Sequence, residues 1–286
     1  MQRLHTLLLA TSLIGVGASI AHADEVGASV STASASDTDG FVLPKGKLLL
    51  DAQLEMSLSS GAVFKPVSLA PDLWYGVTDD LSLGLVHSSL GETGFIGAAA
   101  GAQGDSLCLT GAGTATDPGG CPNFYNKVGI DGRYRLKKPL ALDVGLYINS
   151  INDPFLLDLK IGIDGRWTWD KVSLELQPSI FIGLTNRTPP AVTPPAVASG
   201  GNTEVLFIPA TLAYRVAPKA DIALQAGLAL PFSNTSDTWA IPLAIAARYA
   251  LTPKFGLGLA FAFPDLIGGN STAKIRSLTL GGTYAF

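Results

Sequence analysis

His87 and Ser89 stand two residues apart, on one face of what reads as an extended segment. A base beside a hydroxyl is the pairing that ester hydrolysis requires. His87 is the sole histidine after residue 22, and Glu92 is the carboxylate near it in sequence. The competing reading is a polar pair where a strand leaves a membrane. A second set of chemically capable residues carries charge at alternate positions: Asp131, Arg133 and Arg135, then Asp143, then Asp158 and Lys160, then Asp164 and Arg166. Such charges either set the selectivity of a pore or brace neighbouring strands as a salt-bridge network. A selective pore usually shows an excess of one sign, whereas here the signs nearly cancel, which favours bracing. The third set is Cys108 and Cys121, the only two cysteines. An even pair in an exported chain reads as a disulfide, worth about 3 kcal/mol for so short a loop. No histidine or further cysteine lies near them, so a zinc site lacks ligands. No metal or other cofactor is expected.

The elements that must position these residues follow from composition. The chain has 286 residues, 47% hydrophobic and only 15% charged, with a mean hydropathy of +0.34. A soluble domain carries about 25% charged residues. Transmembrane helices need roughly 20 consecutive apolar residues, and no such run follows residue 25; Gly (32) and Pro (18) are scattered throughout. A helical membrane protein is excluded, and a charge-rich cytosolic enzyme is not favoured. Residues 1–23 read as a secretory signal, with Arg3, an apolar Leu7–Ile20 core and an Ala21-His22-Ala23 cleavage site. No cysteine follows that site, so a lipid anchor is not expected. Loss of Arg3 leaves 18 bases against 23 acids, a net −5, which gives no reason to expect nucleic acid as a partner. Residues 24–45, rich in Ser, Ala, Asp and Thr, read as a flexible extension.

From Lys47 onward the apolar residues occupy every second position. In Leu48–Leu58 the even positions are Leu48, Leu50, Ala52, Leu54, Met56 and Leu58, and between them stand Asp51, Gln53, Glu55 and Ser57. That is a strand with one apolar and one polar face. The same rule holds for Val67–Val77, Leu81–Leu85, Phe124–Leu136, Leu140–Ile148, Leu157–Trp169, Val172–Leu184, Leu206–Val216, Ile222–Leu230, Trp239–Tyr249, Phe255–Phe263 and Leu278–Phe286. Most of these twelve strands run nine to thirteen residues. Globular strands average about five or six, whereas membrane-barrel strands need roughly 9–11. Tight turns (Thr78–Asp80, Lys137–Pro139, Asp170–Lys171, Ala217–Lys219, Leu251–Pro253) alternate with long connections such as Gly91–Pro122 and Thr185–Thr203. Bacterial outer-membrane barrels show that alternation. The prediction is an all-β, twelve-stranded antiparallel transmembrane β-barrel over residues 46–286.

Aromatic spacing gives the same answer. Tyr134 to Trp169, Tyr214 to Tyr249 and Tyr249 to Tyr284 are each 35 residues apart, and with Tyr75 they precede a tight turn or the last residue on the apolar face. Half-apolar, half-polar rings settle at the membrane interface, so a girdle at one height is expected.

The final segment, Leu278-Thr279-Leu280-Gly281-Gly282-Thr283-Tyr284-Ala285-Phe286, resembles the C-terminal signature of Gram-negative outer-membrane β-barrels. That resemblance implies assembly in the outer membrane, with the barrel-assembly machinery as a partner reading the last strand. Residues 72–85 also resemble the Tyr-Gly hairpin of small porin- or transporter-like barrels such as the MetA-pathway phenol-degradation group. His87-Ser88-Ser89-Leu90-Gly91 is similar to the start of the His-x-Ser motifs of outer-membrane phospholipase and lipid A 3-O-deacylase. Those families place Asn where Leu90 stands, and no Ser-Arg-x-Trp-Asn-Arg segment follows. The chain therefore reads as a non-enzyme.

With the apolar face in lipid, a charge there costs about 2–4 kcal/mol at the midplane, so the charged phase must line the lumen. To the group above it adds Asp51, Glu55, Lys127, Glu175, Arg215 and Arg248. The wall from Ile222 onward is lined mainly by small residues, among them Ala223, Gly227, Ala244, Gly256, Gly258, Ala260, Ser277 and Thr279, leaving room for a narrow passage. The leading function is passage of small solutes. The alternative is a non-conducting barrel anchoring an envelope-spanning machine for secretion, export or motility, with envelope proteins as partners. Lys274 and Arg276 stand in the outward phase at the long-loop end, placed to meet lipopolysaccharide phosphates above the membrane lipid.

Overall fold

The computed structural model describes residues 41–59, 63–88, 107–110, 123–151, 155–188, 202–232, 239–269 and 273–286. The expected signal, most of the extension, Ser89, Glu92 and Cys121 lie outside them. Fourteen strand segments make up the described fold: β1 (Leu48–Ser57), β2 (Val67–Gly76), β3 (Leu81–Val86), β4 (Leu107–Cys108), β5 (Val128–Lys137), β6 (Leu140–Ser150), β7 (Leu156–Trp169), β8 (Val172–Leu176), β9 (Ser179–Gly183), β10 (Val205–Ala217), β11 (Ala220–Pro231), β12 (Ala240–Ala250), β13 (Phe255–Gly268) and β14 (Ser277–Ala285).

They form twelve staves. β8 and β9 are two halves of one stave, both pairing β7 and β10. β4 pairs Ser68 and Leu69 near the start of β2, before the β3 pairing, which begins at Leu73. Neighbouring staves are antiparallel, and β1 pairs both β2 and β14, which closes the ring. Closure gives every described stave a neighbour on both sides, the condition for β-structure in a hydrocarbon solvent.

Two boundaries differ from expectation. The Val172–Leu184 strand is interrupted at Gln177-Pro178, because proline has no N–H to give the ladder. Neighbours bridge the gap: the Gln177 amide donates to the Pro209 carbonyl, and the Pro178 carbonyl accepts from Ile163. The extension expected through residue 45 stops short of it. Phe41, Val42 and Leu43 are buried at the turn end of the barrel, held by the Leu43 amide donating to Ser82 Oγ at 2.7 Å. Gly76 admits this segment, since a Cβ there would fall 2.0 Å from the Pro44 carbonyl oxygen.

Burial alternates along each stave as the sequence does. On β1, Leu49, Asp51, Gln53 and Ser57 are buried, while Leu48, Leu50, Ala52, Leu54 and Met56 are partly exposed. Outward residues include Ile130, Leu146, Ile163, Leu224, Ile245 and Leu259, all well exposed. So large an apolar surface does not suit water. Tyr75, Tyr134, Trp169, Tyr214, Tyr249 and Tyr284 are 39–56% exposed beside the short turns, an interfacial girdle.

The barrel interior as candidate functional site

The inner face divides into two unlike halves. On one, β2 and β5–β7 bring charges and large rings together. Trp74 is wholly buried with its ring against Gly84 of β3, where an added Cβ would fall 2.7 Å from the ring carbons. The Arg133 guanidinium carbon lies 4.1 Å from the Trp74 ring centroid and 5.3 Å from that of Phe41. Arg166 approaches the same Phe41 ring to 4.5 Å. Each contact sets a cation on an aromatic face.

Register explains the ion pairs. Asp131, Gly145 and Lys160 are Cα partners across β5, β6 and β7, as are Arg133, Asp143 and Gly162. Gly145, between Asp131 and Lys160, gives the lysine room to reach over. Lys160 Nζ donates to Asp131 Oδ2 at 3.0 Å and lies 2.6 Å from Asp143 Oδ2. The Tyr147 hydroxyl donates to the same Asp131 oxygen at 2.6 Å. Arg133 Nε stands 2.8 Å from Asp164 Oδ2 and 3.9 Å from Asp143 Oδ2. All five charged side chains are at most 2% exposed. At such depth, removing one partner leaves an uncompensated charge, a loss of several kcal/mol.

The remaining charged residues stand apart from this cluster. Arg166 Nε lies 3.0 Å from Glu175 on the adjoining stave. Arg135 lies 3.6 Å from Asp80 and donates to the Val42 carbonyl at 3.4 Å. Arg215 lies 3.6 Å from Asp221, and Arg248 is the register partner of that Asp221. Asp51 faces Asp72 across β1 and β2, and Glu55 faces Ser68. Asp158 accepts from Asn149, and Lys127 is buried beside the start of β5. Trp74 and Tyr147 were absent from the sequence-level candidates. Both stand in the charged phase of their strands, each opposite a glycine, which is the signal that would have found them.

The other half, β10–β14, is lined by Ala213, Ala223, Ala244, Ala246, Ala260 and Ala262, with Gly256 and Gly258. Ala213, Ala223, Ala246 and Ala260 pack as one cluster across four staves.

The His87 surroundings are those of a structural residue. Its amide donates to Asp72 Oδ1 at 2.6 Å. Its Nδ1 lies 2.5 Å from the Pro71 carbonyl and its Nε2 3.0 Å from the Tyr125 hydroxyl. Nδ1 is thus the donor, and Nε2 accepts from Tyr125. Ser88 Oγ and N both donate to Asp72, and Ser89 lies outside the described residues. Cys108 is in a disulfide, and its sequence-level partner Cys121 is likewise outside them. Among the described residues no group of three or more His, Cys, Asp or Glu is placed to hold a metal.

No protein-family model matches the chain, and no curated protein matches its sequence. Solved structures do share its fold. The NanC porin superposes with a TM-score of 0.51 at 12% identity, covering 82% of this chain and 98% of its own. An outer-membrane channel from Pseudomonas putida F1 gives 0.50 at 14% identity, covering 87% and 98%. The chain has the fold of the bacterial outer-membrane β-barrels.

Proposed function

We propose that the protein is an outer-membrane channel for small solutes, with its passage along the β10–β14 side of the lumen. The observation that carries this reading is the asymmetry of the inner wall. Asp131, Arg133, Asp143, Lys160 and Asp164 on β5–β7 pair with one another, and the opposite staves carry a cluster of four alanines over four strand widths. Lumen-facing charge is costly unless paired, so the brace neutralises one side, and the short side chains of the other are those that a passage would run along. Both matched structures are described as a porin or a channel, which supports the same reading.

Phe41–Leu43 are buried at the turn end of the barrel, with Phe41 against Arg133 and Arg166 of the braced half. Their burial favours a second reading, a barrel closed at one end that anchors envelope proteins without conducting. Planar-bilayer conductance of the refolded full chain separates the two: discrete current steps support the channel, and silence from correctly inserted protein supports the anchor.

Three contacts outside the lumen belong to the same proposal. The exposed girdle meets the lipid interface, the last strand engages the barrel-assembly machinery, and Lys274 and Arg276 meet lipopolysaccharide phosphates. Unchanged lipopolysaccharide co-purification in a Lys274→Ala/Arg276→Ala variant would remove the last of these. The barrel is read as non-enzymatic, because the His87 ring is engaged by Pro71 and Tyr125; release of fatty acid from phospholipid or lipid A by the purified protein would contradict that.

A further inference from the structure

A groove of about 750 Å³ opens at the turn end of the barrel where β13 meets β14, lined by Thr252, Pro253, Lys254, Phe255 and Tyr284. Strand phase puts it on the outer face. Phe255 shares its side of β13 with the exposed Leu257, Leu259 and Phe261, and Tyr284 shares its side of β14 with the exposed Leu280. Phe255 and Tyr284 are Cα partners whose ring centroids lie 6.5 Å apart, and Phe286 meets the Tyr284 ring edge-on at 4.7 Å. Next to Tyr284 in the same outward phase stands Gly282, the Cα partner of Leu257. A Cβ added there would meet nothing nearer than Phe255 Cε2, at 3.9 Å. A glycine in the lipid-facing phase thus leaves a dip in the apolar wall beside the groove.

The rim over this groove is cationic. Lys254 lines it. Lys219 belongs to the adjoining turn, its carbonyl accepting from the Ala250 amide, and Lys47 precedes Leu48, whose carbonyl accepts from the Phe286 amide. All three lysines are exposed, and segments 45–47, 217–219 and 251–254 hold no acidic residue, unlike the turns at Asp79-Asp80 and Asp170. Short turns of outer-membrane barrels face the periplasm, so this rim stands among the phospholipid head groups of the inner leaflet. Lysines at a membrane surface attract anionic head groups, and a tyrosine ring settles at the same level. Ligand pockets of about 300–1,000 Å³ hold a drug-sized group, which here is a head group with the first methylenes of its chains. A soluble anion would find a cation at one end and apolar walls on the rest, whereas a phospholipid matches both.

We propose that this groove is a binding site for an anionic phospholipid of the periplasmic leaflet, with the phosphate at Lys254 and an acyl chain laid along Phe255, Tyr284 and Gly282. The site lies on the outer face, so it stands whether or not the lumen conducts.

The test titrates phosphatidylglycerol, and diacylglycerol as the probe without a phosphate, into the refolded full chain in detergent, with native mass spectrometry counting bound lipid. Lys254→Gln removes the charge and is expected to weaken phosphatidylglycerol binding about five-fold, the worth of one lysine near a membrane surface. Gly282→Leu fills the dip with a side chain that suits the lipid face, and is expected to weaken it by a similar factor. Lys171→Gln, in a turn on the far side of the barrel, is expected to leave binding within 1.5-fold of the parent. Should Gly282→Leu fail to refold, Lys254→Glu against Lys171→Glu carries the test, with a loss of about ten-fold or more expected in the first alone. Equal losses at positions 254 and 171 would overturn the site in favour of diffuse attraction by the lysines of the rim. Binding unchanged in Lys254→Gln or in a folded Gly282→Leu, or diacylglycerol bound by the parent as tightly as phosphatidylglycerol, would overturn it as well.

Discussion

Arg133 stacks on Trp74 inside the barrel, its guanidinium carbon 4.1 Å from the ring centroid. The arrangement is built from four staves. Gly84 makes the floor for the ring, Trp74 covers it, and Arg133 lies on top with Asp164 at its edge. A cation held in this way needs little water, which is why a fully buried arginine is tolerable here.

The floor is the first point to test. Any Cβ at position 84 falls 2.7 Å from the indole carbons, so Gly84→Val must push Trp74 off its seat. Overpacking of that kind costs about 1–3 kcal/mol. A urea titration of the refolded barrel in lipid vesicles should show the midpoint falling accordingly; an unchanged midpoint would show that the ring moves freely.

Lys160 is the next. It is shared between Asp131 and Asp143, and Lys160→Met keeps the length of the side chain while stranding both carboxylates. The expected loss is about 3–5 kcal/mol. Adding Asp143→Asn to the same variant should recover part of it, since one stranded charge is gone. The same titration in vesicles measures both, and no recovery would mean that Asp143 is not part of the brace.

The two faces of β12 should respond in opposite ways. Ile245, at the middle of the strand, is 64% exposed on the outside, and Ile245→Lys should cost about 2–4 kcal/mol in a bilayer. Ala244→Ser, one residue along and facing inward, should change stability by less than about 0.5 kcal/mol. Equal effects at the two positions would contradict the assignment of lipid and lumen faces.

Phe41 is held by two guanidinium groups and not by the strand ladder. Phe41→Ala should therefore open the turn end without unfolding the barrel, raising conductance at least two-fold with the urea midpoint unchanged. Equal conductance in the variant and the parent would show that the segment does not narrow the path.

Much of this arrangement is legible in the sequence, because a two-residue period reports a face directly. The phase of Leu48–Ser57 separates Asp51 and Glu55 from Leu50 and Leu54 without any tertiary information. The interior contacts were less accessible. Trp74 shares the charged phase with Asp72, yet only the pairing with β3 places Gly84 beneath it. Phe41-Val42-Leu43 is too short to show any period, and its burial depends on Arg133 and Arg166, far along the chain. Pro178 is visible in the sequence, but the carbonyl and amide that bridge its gap come from neighbouring staves. β4, at Leu107-Cys108, has two residues and no alternation to read.

The central claim is that a path for small solutes runs beside the braced half of the lumen. Planar-bilayer recording on the refolded full chain, with correct insertion checked by its heat-dependent gel mobility, tests it most directly. Discrete current steps from the wild-type barrel, larger in Phe41→Ala, are the predicted result. Silence from both proteins after correct insertion would contradict it.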